Sequence, residues 1–254
     1  MPSTLTLPES IRTPELKRAY NEGLFTRVAV EYDRATRAMS LGRDQAWKRM
    51  LVAALPALPA PNCVDLACGT GDVTFELARK YPRGRVLGTD LTPAMLEVAR
   101  QRNTFSQVDF ACHDMCRLEL PAGWADIVTG SYALRNAPVL DDALAEIHRV
   151  LKPGGCAAFL DFSKSHRAWL QPLQTGLLKH WGGFWGLVVH GRPEHAYLGE
   201  SLRQFPDRLA LRQKLVSFGF VLQFERPLYL GVLEILVVRK LAEASGQDRA
   251  NPTN

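Results

Sequence analysis

The sequence predicts an α/β fold: a Rossmann-like, doubly wound, mostly parallel seven-stranded sheet with helices on both faces. Three observations carry that prediction. Short apolar runs of strand length alternate with helix-period segments through the middle of the chain. One run, ending at Leu66, passes straight into the glycine turn Cys68-Gly69-Thr70-Gly71 and then into a helical pattern. An acidic residue, Asp90, follows nineteen residues after Gly71, at the end of the next run.

The elements follow in order. Residues up to 61 carry no strand pattern and read as a helical region over 14–61. Residues 62–67 are a buried strand, and 72–80 a helix with Val73, Leu77 and Ala78 on one face. Residues 85–89 form a second strand; Thr92-Pro93 then opens a helix, with proline at its first position. Strands are expected at 108–112 and 126–130, followed by an amphipathic helix over 141–151 that Lys152-Pro153-Gly154-Gly155 closes as a turn. A fifth strand is expected at 156–161, and two more at 218–224 and 231–238. The segment 163–206 breaks the alternation and reads as a loop-rich, lid-like insertion, and the polar end, 242–254, is expected to fray. Together these make one domain over 1–254.

Composition narrows the function. The 254 residues are 46% hydrophobic, enough for a core. The net charge of +5 is scattered among acidic residues with no basic run, which argues against nucleic acid as a partner. Five cysteines, an odd number without a CxxC pair, give no disulfide framework. Cys112, His113, Asp114 and Cys116 look like a metal cluster, but the spacing does not suit structural zinc, and no metal is expected. The N-terminus lacks the pattern of a signal peptide and no stretch has the length of a membrane span, so a soluble, cytoplasmic protein is expected.

The glycine turn marks a cofactor site. Gly69 and Gly71 let the backbone pass close to a ligand, and Asp90, with Leu91 beside it, suits a ribose diol. A dinucleotide is disfavoured: Thr74 stands where a third glycine is required, and Asp65 adds negative charge where a pyrophosphate would sit. A cofactor carrying an ammonium and a sulfonium, S-adenosylmethionine (SAM), would welcome that charge. Asp114, after the third strand, is placed to accept from an adenine amino group or else to cap the segment that follows. Ser131 lies at the switch point after the fourth strand.

Several separate blocks give the chain a family resemblance. They are Tyr32-Asp33 with Met39-Ser40-Leu41-Gly42 and Trp47-Lys48, then DLACGTGD at 65–72, Tyr132-Ala133-Leu134-Arg135-Asn136, RVLKPGG at 149–155, LDFSK at 160–164, and Ala196-Tyr197-Leu198 with Ser201 and Phe205-Pro206. From about Phe25 to Lys240 the chain resembles the ubiquinone/menaquinone biosynthesis C-methyltransferases, class I SAM-dependent enzymes. That resemblance implies that Thr70, Asp90, Asp114, Met115 and Ser131 fall on SAM-contact positions. It implies methylation of a ring carbon on a prenylated benzoquinol or naphthoquinol: demethylmenaquinol, demethylphylloquinol or a ubiquinol precursor. Two departures stand out: Thr36, and the ending Leu228-Tyr229-Leu230-Gly231, which looks closer to the photosynthetic branch that acts on a phytyl-naphthoquinone.

Such chemistry needs an ionised ring hydroxyl next to the carbon that attacks. Arg135 is the candidate to stabilise the phenolate and Asn136 to orient it, while Tyr32 could close the site over the methyl group. The alternative for Arg135 is a pair with Asp141 or Asp142 that merely holds the loop, and for Tyr32 simple packing. His190 and His195 are further candidates for a base. Trp169, Trp181, Phe184 and Trp185 crowd the insertion with Leu177, Leu178, Leu187 and Val188, as core under the sheet edge or as a greasy entrance for a prenyl tail touching a bilayer. Other aromatic acceptors, SAM binding without methyl transfer, peripheral membrane contact and a homodimer stay open at this point.

Overall fold

A computed structural model describes residue 9 and residues 11–190 and 197–242. Three helices lead: α1 (Pro14–Val28), α2 (Tyr32–Met39) and α3 (Asp44–Ala53). The alternating part follows as β1 (Asn62–Leu66), α4 (Asp72–Lys80), β2 (Arg85–Asp90), α5 (Pro93–Arg102), β3 (Val108–Cys112), β4 (Ala125–Ser131), α6 (Leu140–Val150) and β5 (Leu151–Phe162). The chain ends through α7 (Gln171–His190), α8 (Tyr197–Gln204), α9 (Arg208–Ser217), β6 (Phe220–Leu228) and β7 (Leu233–Lys240).

The seven strands form one sheet in the order β3-β2-β1-β4-β5-β7-β6. β1 to β5 pair in parallel, and β7 runs antiparallel between β5 and β6. Winding goes outward from β1 to β3 and resumes on the other side at β4, so a crevice opens beyond the carboxyl ends of β1 and β4. Both faces are covered, which is why the central strands read as continuous apolar runs rather than alternating ones. Cys63, Ile127, Ala158 and Leu160 face one layer with Leu51 and Leu77; Val64, Leu66, Val128 and Phe159 face the other with Leu144, Ile147 and Leu215.

Some boundaries differ from expectation. β5 begins at Leu151, directly after α6, because Ala125 pairs with Leu151 while Ile127 pairs with Cys156. Lys152-Pro153-Gly154-Gly155 is therefore a bulge within the strand pair, with Gly154 at φ +77°, rather than a free turn. β6 and β7 each start two residues late: Gly219 at φ +82° follows α9, and a tight turn over Tyr229–Gly231 separates the strands. Over its described residues the insertion is mostly helical, in α7 and α8, rather than loop-rich; its glycines obscured the period of α7. Residues 191–196, with His195, the His190 side chain and the expected tail over 243–254 lie outside the described residues.

The N-terminal helices lie against the carboxyl ends of the strands. Thr13 caps α1, accepting from the Leu16 amide at 3.3 Å, and Pro14 occupies a position with no amide to satisfy. Ile11, Leu24 and Val28 pack on Met95 of α5 and Tyr197 of α8.

Candidate active site

After β1 the chain turns through Ala67 at φ +47°, Gly69 at +54° and Gly71 at +94°. Gly71 is obligatory, since a Cβ there would stand 2.7 Å from the Phe75 ring. Asp90 pins the loop: one carboxylate oxygen accepts from the Gly69 amide and the other from the Thr92 amide, both at 2.9 Å. A carboxylate offers about four acceptor sites, so Asp90 keeps lone pairs for a ligand. Burial pushes its pKa up, against the pull of those amides.

The loop opens on a narrow cleft of 70 Å³ lined by Gly69, Asp90, Leu91, Asp114, Met115 and Ser131. Asn21, Glu22 and Phe25 of α1, together with Tyr32, cover it from outside. A hollow of 30 Å³ continues past Asp65, Thr70, Asp72 and Lys48. The Ser131 hydroxyl and His113 Nδ1 are buried without partners. Asp114 caps the Cys116 amide at 2.9 Å through one oxygen and pairs with Arg18 of α1 through the other.

Of the expected cofactor residues, Gly71 lines neither space, and Asp65 lines the hollow with its carboxylate already bonded. Both Asp65 oxygens accept from hydroxyls, Thr74 and Thr129, each at 2.7 Å. Burial raises the Asp65 pKa to about 6, with the two threonines opposing. Its charge is thus engaged by the protein rather than turned bare to the cleft. Gly71 shapes the turn that begins α4. Thr70 donates to Asp33 of α2 at 2.6 Å.

Beyond Tyr32 and Tyr132 lies an apolar cavity of 470 Å³, walled by Leu24, Val28, Trp47, Phe162, Leu178 and Tyr197. Phe25, Tyr32, Tyr132 and Asn136 line both spaces, so cleft and cavity meet there. Tyr132 holds a left-handed backbone, φ +58°, fixed by its amide donating to Leu160 O at 2.7 Å. Such strain persists where the surroundings impose it, and functional sites are enriched in it.

Among the described residues, Arg135 is the only charged one lining this cavity, and it is 5% exposed. Its expected partners, Asp141 and Asp142, are not the ones it has. Asp141 sits on α6 and pairs with Lys214. Arg135 instead approaches Asp161 at the end of β5: its amide donates to one oxygen at 3.1 Å and Nε lies 3.5 Å from the other. Nη1 donates to Ser201, and the guanidinium lies over the Phe162 and Tyr197 rings at 5.6 and 5.9 Å. Lys17 Nζ donates to the carbonyls of Arg135 and Ala137, at 3.0 and 2.7 Å. Burial, then Arg135, lowers the Lys17 pKa to about 8. Asn136 Nδ2 donates to Tyr132 O at 2.8 Å, while its Oδ1 is buried without a partner. Burial raises the pKa of Tyr32, the nearby Lys48 opposing.

Asp161, Ser201, Tyr132, Lys17 and His113 escaped the sequence reading as site residues. The signal for Asp161 was a carboxylate ending a buried strand opposite an arginine. His113 was weighed only as a metal ligand, and among the described residues no group of three His, Cys, Asp or Glu side chains is gathered for a metal.

A switch-point cleft under a glycine turn, opening into an apolar acceptor cavity, defines a Rossmann-like methyltransferase. The profile of the ubiE/COQ5 methyltransferase family matches residues 13–235, and the chain belongs to that family. It is 35% identical to the 2-phytyl-1,4-naphtoquinone methyltransferase of Thermosynechococcus vestitus, over 86% of this chain and 98% of that one. It is 34% identical to the demethylmenaquinone methyltransferase of Symbiobacterium thermophilum, over 91% and 96% respectively. A solved SAM dependent methyltransferase from Aquifex aeolicus shares the fold, with a TM-score of 0.60 over 82% of this chain and 98% of that one, at 13% identity.

Proposed function

We propose that the chain transfers a methyl group from SAM to a ring carbon of a prenylated naphthoquinol, of demethylmenaquinol or demethylphylloquinol type. The observation that carries this reading is the junction of cleft and cavity at Tyr32, Tyr132 and Asn136, with Arg135 the one charged side chain on the apolar side among the described residues. The two similar naphthoquinone enzymes support this acceptor ring, and relatives of 34% identity named for ubiquinone as well as menaquinone biosynthesis make the benzoquinol of a ubiquinol precursor the second candidate.

The residues present suit SAM. Asp90 has spare acceptor sites for ribose hydroxyls, Asp114 stands across the cleft for adenine, and Ser131 and His113 bring unpartnered polar atoms. Bound there, the cofactor supplies an electrophilic methyl group. The acceptor's ring hydroxyl, once ionised, makes the adjacent carbon nucleophilic, and Arg135 stabilises that phenolate from within an apolar wall where a charge acts strongly. Arg135 keeps its own proton, so it acts as a fixed charge and not as the base. The unpartnered Asn136 Oδ1 is free to accept from an acceptor hydroxyl, and the tyrosines exclude water from the junction. We place this chemistry at a membrane surface reached from a reducing aqueous compartment, where the five cysteines stay free.

The test is mass spectrometry of products from a panel of naphthoquinols, benzoquinols and simple phenols. A C-methylated naphthoquinol should dominate; methylation of simple phenols at equal efficiency would overturn the assignment. Arg135→Ala should lower kcat by about a hundredfold or more while leaving SAM affinity near wild type, and Arg135→Lys should restore little.

A further inference from the structure

The outer face of α7 is apolar and exposed. Leu173, Leu177, Phe184 and Val188, spaced to share one side of a helix, are 68%, 63%, 56% and 57% exposed. Trp169, just before the helix, is 72% exposed. A contiguous patch of this kind is rare on a protein that meets only water, and the glycines at 176, 182, 183 and 186 weaken such a helix further when it stands in water. No helix among the described residues is long and apolar enough to cross a membrane.

Two observations say what covers this face. First, it runs into the acceptor cavity: Leu177 and Trp181 belong to both α7 and the cavity wall. Trp181 Nε1 donates to Met39 O at 3.0 Å, tying α7 to the turn after α2, where Leu41 lines the cavity while 70% exposed. Second, the charge is one-sided. No Asp or Glu occurs between Asp161 and Glu194, and Arg167 before the helix and Arg37 and Arg43 at the end of α2 and in the turn after it are exposed, whereas Lys179 faces α8.

We propose that α7 lies in the plane of an anionic bilayer, with the turn at residues 39–43 beside it, so that the cavity mouth between Leu41 and Trp181 opens directly into lipid. This rests on the prenylated-acceptor reading and deepens it. Drug-sized ligands occupy pockets of about 300–1,000 Å³, so the 470 Å³ cavity takes a ring and a short stretch of chain. The rest of a long tail then stays in the bilayer throughout the reaction, and the acceptor never crosses water. The apolar face supplies the burial and the flanking cations supply the attraction to anionic headgroups.

The experiment compares wild type with a triple variant, Leu173→Ser, Phe184→Ser and Val188→Ser, none of which lines the cavity. Both are sedimented with vesicles of phosphatidylcholine alone and with about a third phosphatidylglycerol added. Wild type should bind the anionic vesicles at least about tenfold better than the variant. Its tryptophan fluorescence should be quenched by brominated lipid. Turnover of a short-tailed acceptor in solution should be equal in the two proteins, with equal melting temperatures. Equal vesicle binding by both would overturn the proposal. So would a wild-type dimer that the variant dissociates without change in vesicle binding, which would make the strip an interface between copies. Failure to methylate any quinol in solution, with vesicle binding intact, would instead strike the functional reading.

Discussion

At the scale of single residues, the site divides into groups that hold the cofactor and groups that hold a charge. Asp90 belongs to the first. Removing it should cost about 2–3 kcal/mol of SAM binding, the scale of lost charge-assisted hydrogen bonds, read by titration calorimetry on Asp90→Ala. Unchanged affinity would remove Asp90 from the ribose position. Asp161 belongs to the second. Its oxygens accept from the Arg135 and Phe162 amides, and its charge balances a buried guanidinium. Burial raises its pKa and Arg135 opposes, so the pair depends on both members. Asp161→Asn sets an amide donor against those N–H groups and leaves Arg135 uncompensated. The expected result is a kcat lower by about tenfold or more, KM for SAM unchanged, and little further loss when Arg135→Ala is already present. Independent losses from the two substitutions would show that Asp161 serves stability alone. Of this arrangement, the cofactor loop was legible because glycine conformation and a strand-end carboxylate leave a local imprint. The Arg135–Asp161–Ser201 cluster was not, because its members lie far apart in sequence and meet only in space.

At the scale of elements, the N-terminal helices clamp the cofactor loop through ion pairs. Lys48 of α3, itself buried, bonds Asp72 at the start of α4 at 2.8 Å. Arg102 of α5 reaches Asp72 at 2.7 Å and Asp33 of α2 at 2.8 Å. Burial alone would raise the Asp72 pKa, but Lys48 and Arg102 override it and hold it down to about 2, against an ordinary 3.8. A depressed carboxylate gives stability that is complete above the unfolded value and is lost as pH falls through the folded one. The clamp should therefore weaken between about pH 4 and pH 2, where Asp72 accounts for about 2 kcal/mol of wild-type acid lability. Denaturant titrations at several pH values check this: Asp72→Asn should be less stable at neutral pH and show a flatter acid limb, and an unchanged acid limb would refute the clamp. The central elements were readable from period and punctuation, and 72–80 and 108–112 were read with their observed bounds. The misreadings share a cause. Local turn chemistry at Lys152–Gly155 and at the glycines of α7 says turn or loop, whereas pairing to β4 and packing on α8 decide otherwise.

At the scale of the whole molecule, the cofactor site is built from both ends of the fold. Its floor is the switch point of the sheet, and its outer wall is α1 with Tyr32 of α2, held by Thr70–Asp33, Lys48–Asp72 and Arg18–Asp114 contacts. We therefore expect the helices at 14–53 to unfold with the sheet, and SAM to stabilise the two together. At a concentration one hundred times its Kd, a ligand specific for the folded state adds about 2.7 kcal/mol. For a chain near 250 residues each kcal/mol moves the midpoint by about 2–4 °C, so calorimetry should show one transition that rises by roughly 5–10 °C. Asp90→Ala, with affinity reduced by about 2–3 kcal/mol, should shift by only about 1–3 °C at the same SAM concentration. Two transitions, with only the higher one moved by SAM, would mean that the helical wall folds by itself and takes no part in closing the cleft. Because α1 and Tyr32 line the cleft from outside, amide exchange across α1 should also slow when SAM is bound, more than exchange in β1 or β4. Equal protection of α1 with and without SAM would leave the closed wall a fixed part of the fold instead of a cover that follows the cofactor.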